Sequence, residues 1–245
     1  MAVILNEGFE AAGYDAAGWT EGVDGGSTVN EDENTVNAGS PPLWGSQCLL
    51  IDRIASTNSY TFNVPGATVI TFTAVEVKLS AVSLASDGDF NLLFTGLDVT
   101  LATALWIVRL RREAGVTLIE VTRSSDGIIL WVEPLSLNKL YRFEVKWDTT
   151  ADTYALWVNG ILFGADVLTG GDATTPVGAV LIGDTNVRPG AYTARFDRLV
   201  VDNSTHIGPD ALGPGGMRSG RPRLLLALDA EDEGRFNEVD VRNWW

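Results

Sequence analysis

Reactive side chains are scarce in this chain, and the few present narrow the chemistry at once. His206 is the only histidine and Cys48 the only cysteine. A Ser-His-Asp arrangement could use no base but His206, and a multi-histidine zinc site is impossible. A single cysteine forms no intrachain disulfide and no thiolate cage; within Gln47-Cys48-Leu49-Leu50-Ile51 it reads as a small core residue. Carboxyl groups are plentiful, 32 Asp and Glu against 17 Lys and Arg. Glycoside hydrolysis, however, needs two of them held rigidly about 5–9 Å apart. Period-two spacing on a strand would bring carboxyls to one face, yet Glu76 is followed two positions on by Lys78, and Glu144 by Lys146. Asp229-Ala230-Glu231-Asp232-Glu233 has the spacing, but it follows a Gly/Pro-rich stretch and ends at Gly234, so it reads as a solvated acidic turn.

Aromatic side chains offer a second kind of chemistry. A saccharide-binding surface needs an exposed aromatic platform with amides and carboxylates beside it. Trp19 and Trp44 fall in polar, loop-like sequence, where each either contacts a ligand or anchors its own loop. Trp106, Trp131, Trp147 and Trp157 fall within strand-like alternations and read as packing residues. Trp244 and Trp245 close the chain. Two large apolar side chains at a terminus are expected to be tied down, by another chain or by folding back onto their own domain.

Strands must position these groups. Thr68 to Val82 alternates, with Val69, Thr71, Thr73, Val75, Val77 and Leu79 on one face and Ile70, Phe72, Ala74, Glu76 and Lys78 on the other; period two over that length predicts a strand. Tyr141 to Asp148 puts Tyr141, Phe143, Val145 and Trp147 on a buried face and four charged residues on an expected wet one. Asn159-Gly160 suits the positive φ angles of a two-residue type I′ hairpin turn. Further strands are predicted at 2–10, 48–54, 59–64, 89–97, 105–112, 116–122, 128–132, 178–183 and 192–202, and 11–42 reads as a surface loop anchored by Trp19. Many strands without a credible helix predict an all-β architecture over residues 1–206. Residues 207–223 carry too much Gly and Pro for regular structure and read as a linker. Residues 224–245 form a terminal arm whose short strand runs from Leu224 through Leu226 to Leu228.

The formal net charge of −15 argues against a nucleic-acid partner, because phosphate neutralisation needs a Lys/Arg surface. It also disfavours anionic membranes. No run approaches about 18 apolar residues, so no membrane insertion is expected. Met1 to Glu10 lacks the basic start and unbroken apolar run of a signal peptide, which predicts synthesis without the ordinary secretory route.

The stretch Leu105 to Asp202 resembles the concanavalin A-like lectin and laminin G-like superfamily. Arg109-Leu110, Tyr141 to Asp148, Val158-Asn159-Gly160, Leu181-Ile182-Gly183 and Phe196 to Asp202 match its habitual strands, and Asn6-Glu7-Gly8-Phe9-Glu10 fits its opening one. The resemblance, extending over about residues 2–204, implies a concanavalin A-like jelly-roll β-sandwich with a C-terminal extended arm. Its motifs are structural and imply fold better than activity. The superfamily's glucanases carry Glu-x-Asp-x-x-Glu, or a version one residue shorter, on an inner strand. The main domain has no such triplet, so a non-enzyme is expected and a glycoside hydrolase is the least favoured reading. Related sandwiches often hold Ca²⁺ between first and last strands. Glu10 and Asp197 would sit on those strands, with Asp15 or Asp32 able to join them; alternatively they hydrogen-bond loop amides or pair with Arg195 or Arg198. Virion proteins of tailed bacteriophages share this plan of jelly roll, linker and arm. The resemblance thus implies a virion structural protein, made in the host cytoplasm and displayed on the particle as capsid decoration or beside the tail. Its arm, through Leu224, Leu226, Leu228, Trp244 and Trp245, would dock on other copies of itself or on capsid or tail proteins. A carbohydrate-binding adhesin meeting cell-surface glycan through Trp19 and Trp44 is the alternative.

Overall fold

The computed structural model describes residues 3–7, 9, 18–23, 25–33, 43, 48–168 and 170–208. The chain divides after Gly215, and every described residue belongs to the first unit. Leu224, Leu226, Leu228, Trp244 and Trp245 lie outside the described residues, as do Glu10, Asp15, Trp44 and the acidic run 229–233.

Two antiparallel sheets make the molecule. The first sheet holds β1 (Val3–Glu7), β3 (Thr28–Glu33), β4 (Cys48–Arg53), β6 (Ile70–Ser83), β11 (Leu140–Asp148), β12 (Thr153–Val158), β13 (Ile161–Val167) and β15 (Ala191–Asp202). Its order is β13-β12-β11-β6-β15-β4-β3, with β1 also paired to β15. The second sheet holds β2 (Trp19–Val23), β5 (Thr57–Asn63), β7 (Phe90–Leu97), β8 (Ala104–Glu113), β9 (Val116–Arg123), β10 (Ile129–Pro134) and β14 (Ala179–Arg188), in the order β10-β9-β8-β7-β14-β5-β2. Among the described residues no helix is long and apolar enough to cross a membrane.

Alternation sends one face of each sheet into a shared core. Val75, Val77, Leu79, Phe143, Val145, Trp147 and Phe196 of the first sheet join Phe94, Trp106, Val108, Leu110, Ile119 and Val121 of the second in one cluster. Trp106 fits because its neighbour in register is Gly96, where a Cβ would lie 2.3 Å from the indole. Burying each such aromatic contributes about 2–3 kcal/mol. The hairpins obey the turn chemistry: Asn159 and Gly160 have φ of 52° and 81°, and Ala114 and Gly115, between β8 and β9, have 48° and 80°. Both central residues of a type I′ turn require such angles.

Two expectations are overturned. Residues 11–42 are not one loop, because β2 and β3 lie within them and extend the two sheets past β5 and β4. Trp19 is on β2. The strand expected over Thr68 to Val82 forms as β6, and both of its faces are buried from Thr71 to Val77. Nor is the charged face of β11 wet: Arg142, Glu144 and Asp148 are 7%, 2% and 5% exposed. The residues after β15 fold back over that face. Ile207 packs with Phe72, Ala74 and Val200. The Glu144 carboxyl accepts the amides of Ile207 and Gly208 at 2.7 and 3.2 Å and lies 2.7 Å from His206 Nδ1. The His206 ring stacks on Trp157 with centroids 4.4 Å apart. Ile207 and Gly208 therefore pack against this face of the sandwich.

His206→Ala removes both the stack and one partner of Glu144. Hydrogen exchange at the Ile207 and Gly208 amides should speed up about tenfold, the worth of roughly one good hydrogen bond, with global unfolding little changed. Unaltered exchange would show that the ring does not hold this segment.

Candidate functional site

The strand β5 has its polarity reversed. In Thr57-Asn58-Ser59-Tyr60-Thr61-Phe62-Asn63 the small polar residues face inward, with Ser59 and Thr61 fully buried, while Asn58, Tyr60 and Phe62 face outward and are partly exposed. Buried hydroxyls are tolerated only when hydrogen-bonded. Ser59 Oγ donates to the Thr28 carbonyl at 3.1 Å, Thr61 Oγ1 to the Thr20 carbonyl at 3.3 Å, and the hydroxyls of Thr57 and Ser27 lie 2.5 Å apart. With the inner face satisfied this way, the aromatic residues are left outside. Tyr60 and Phe62 form a stacked pair, centroids 6.4 Å apart and rings 21° from parallel.

Tyr60 is flanked by glycine on both sides, Gly22 on β2 and Gly183 on β14. Its phenol end fills the space a side chain would take at Gly22, where a Cβ would lie 2.3–2.5 Å from the ring and hydroxyl. No neighbouring side chain screens it in the register direction. The ring rests on backbone.

Across the same outer face, β7, β8 and β9 add Phe90, Arg109, Arg111 and Glu120, and Arg188 of β14, paired with Thr57 past an irregularity, brings its guanidinium to Phe90. The register sets Phe90 opposite Arg111, and Arg109 opposite both Leu92 and Glu120. Glu120 is fully buried and accepts Arg109 Nε at 2.5 Å on one oxygen and Arg111 Nε at 3.0 Å on the other. Asp184, also fully buried, accepts Arg188 Nε at 2.8 Å and the Leu92 and Asn186 amides at 3.0 and 2.9 Å. The guanidinium carbons of Arg188 and Arg109 sit 3.9 and 5.3 Å from the Phe90 centroid, within cation–π range. Burial disfavours the Arg111 cation, but the hydrogen bonds and charges of Glu120 and Glu113 outweigh it and push that pKa further up. The face thus combines aromatic rings with fixed cations. Its carboxyls are occupied.

The residues singled out from sequence fare differently. Trp19 is 5% exposed and lies with its ring centroid 5.8 Å from that of Phe9, inside the core cluster; alternation on β2 turns it inward, so it packs and offers no platform. Asp197 is buried, and its Oδ1 accepts the Arg198 amide at 2.7 Å. Among the described residues no group of three or more His, Cys, Asp and Glu could hold a metal ion. Cys48 is buried, as expected. A depression of about 250 Å³ at Asp52, Arg53, Val82 and Tyr192 lies near Arg53, whose Nη1 already donates to Asn91 and Nη2 to the Thr57 carbonyl. Tyr60, Phe62, Phe90, Arg109 and Arg188 escaped sequence reading; the signal that could have found the first two is the reversed alternation of β5.

No family model matches the sequence, and no curated protein matches it. Solved structures do. A cellulose induced protein, Cip1, superposes with a TM-score of 0.58 at 18% identity, covering 83% of this chain and 99% of that one. A conserved carbohydrate esterase from Shiga toxin-encoding bacteriophage phi24B gives a TM-score of 0.60 at 10% identity, with 83% and 99% covered. The fold is a jelly-roll β-sandwich. A sialidase matches at a TM-score of 0.57 and 10% identity over 83% of this chain, which spans only 19% of the sialidase. Identities this low establish the fold, which agrees with the superfamily resemblance in sequence, and leave activity to be argued from the site.

Proposed function

We propose that this jelly roll is a carbohydrate-binding module without catalysis of its own, and that its ligand lies across Tyr60, Phe62 and Phe90. The reversed polarity of β5 carries the reading. On β5 two aromatic rings stay partly exposed on the outer face while hydroxyls are buried instead, the reverse of the usual preference. Flat apolar rings on a sheet, with hydrogen-bonding groups beside them, suit the apolar face and hydroxyl rim of a sugar. Two of the similar structures are named for saccharide chemistry, the carbohydrate esterase and the sialidase. The non-enzymatic part rests on Glu120 and Asp184: both are fully buried and bound to arginine, so neither is placed to exchange a proton with substrate or attack it.

Calorimetric titration with a panel of oligosaccharides tests this. The wild type should bind at least one, and Tyr60→Ala should weaken that binding at least tenfold while the protein stays folded, its melting temperature lowered by only about 2–4 °C. Binding by neither protein, or equal binding by both, would contradict it.

A virion location is a second layer of the proposal, with cell-surface glycan and other virion proteins as partners. One similar structure comes from a bacteriophage. The edge strand β13 exposes Ile161, Leu162 and Phe163 at 62%, 54% and 49%, an apolar edge suited to contact with a neighbour. Mass spectrometry of purified particles should find the chain in stoichiometric amount; particles lacking it would overturn this location.

A further inference from the structure

We propose that the saccharide bound here is acidic, and that Arg109 and Arg188, beside Phe90, recognise its carboxylate groups; this rests on the carbohydrate-binding reading above. Each guanidinium is held by its Nε on a fully buried carboxyl, Glu120 for Arg109 and Asp184 for Arg188. Neither uses an Nη atom in a hydrogen bond to any described residue, and the two side chains stay 24% and 20% exposed. The inner edge of each fork is thereby fixed and the outer edge left for a ligand. A planar pair of Nη donors fits a carboxylate in two-point fashion, which an ammonium cannot do.

The hydrogen-bonding character of the patch points the same way. Guanidinium groups donate only. The acceptors nearby are already engaged, Glu120 by Arg109 and Arg111, and Asp184 by Arg188 and two amides. Three cations here meet three carboxylates, the buried Glu120 and Asp184 and, at the rim, Glu113, bound to Arg111 and 57% exposed, so the unused Nη donors of Arg109 and Arg188, and not a net charge, set the preference. A neutral sugar would need acceptors as well as donors; a ligand that supplies its own acceptors meets this surface best. In a chain of net charge −15, three arginines gathered in one patch are not a product of average composition.

Calorimetry on the full chain can decide this with four probes: galacturonate oligosaccharides, their uncharged methyl esters, sulfated galactan oligosaccharides and cello-oligosaccharides. The galacturonate series should bind at least about tenfold more tightly than its methyl esters, and its affinity should fall as salt is raised. Arg188→Ala should weaken galacturonate binding about tenfold. Arg188→Lys should restore little, because one ammonium cannot hold Asp184 and grip the ligand in two-point fashion. Tighter binding of the sulfated probe would overturn the carboxylate assignment. Equal binding of acid and ester, still lost in Tyr60→Ala, would overturn the inference while leaving the carbohydrate-binding reading intact. No binding of any probe, by wild type or variant, would sink both. If Arg188→Ala fails to fold, the ester and salt comparisons on the wild type decide alone.

Discussion

Gly183→Ala is expected to lower the melting temperature by more than about 10 °C, or to prevent folding altogether. Gly183 sits on β14 opposite Tyr60 with φ of +95°, a region that costs a side-chain-bearing residue about 1–2 kcal/mol. Space is the larger obstacle. A Cβ would lie 2.2 Å from the Ser59 carbonyl oxygen and 2.9 Å from the Tyr60 Cα, both backbone atoms of the paired strand. No rotamer change relieves such a clash, so β5 and β14 must separate, at about 1–3 kcal/mol of overpacking and whatever pairing is lost. Together these reach about 4 kcal/mol, a large share of the 5–15 kcal/mol that holds an ordinary domain; at this chain length each kcal/mol moves the midpoint about 2–4 °C. Gly115→Ala is the control: its φ is +80°, but no atom lies within 4 Å of the added Cβ, so only the backbone term applies. Thermal melts of the two variants side by side check this, and equal shifts would contradict the close approach of β5 and β14.

Gly22→Ala should instead spare the fold and remove the binding. Gly22 has no positive φ, and the atoms its Cβ would meet belong to the tip of Tyr60, a side chain that can swing into solvent. The cost to folding should stay below about 1 kcal/mol. The ring, however, no longer lies on the backbone of β2. Losing a stacked aromatic contact of ~2 kcal/mol corresponds to about thirtyfold in affinity. Because both changes act on one ring, Gly22→Ala added to Tyr60→Ala should weaken binding no further. Additive losses would mean that Gly22 acts through something other than Tyr60.

The layers of the sandwich were legible because alternation is local. Tyr141, Phe143, Val145 and Trp147 do face the core, and Asn159-Gly160 does turn with two positive φ angles. What alternation cannot report is what covers the opposite face. The charged side of β11 looks wet in sequence, yet Ile207 and Gly208, more than sixty residues on, close over it. Trp19 misled for a related reason: its neighbours are polar and glycine-rich, and only pairing with β5 shows it to be a strand residue turned inward. The candidate site was hidden more deeply. Tyr60, Phe90, Arg109 and Arg188 come from four strands, and nothing in their local sequence brings them together. Sheet order does, by laying β5, β14, β7 and β8 side by side. Glu10, Trp44 and the terminal arm lie outside the described residues.

On the account proposed, ligand meets the outer face of the second sheet at the partly exposed rings of Tyr60, Phe62 and Phe90. Aromatic carbon–proton spectra recorded while an oligosaccharide is titrated into the labelled protein test it most directly. Signals of Tyr60, Phe62 and Phe90 should move together and saturate, while those of the buried Trp147 and Phe196 stay in place. Saturable shifts confined to residues elsewhere on the sandwich, with these three unmoved, would contradict it.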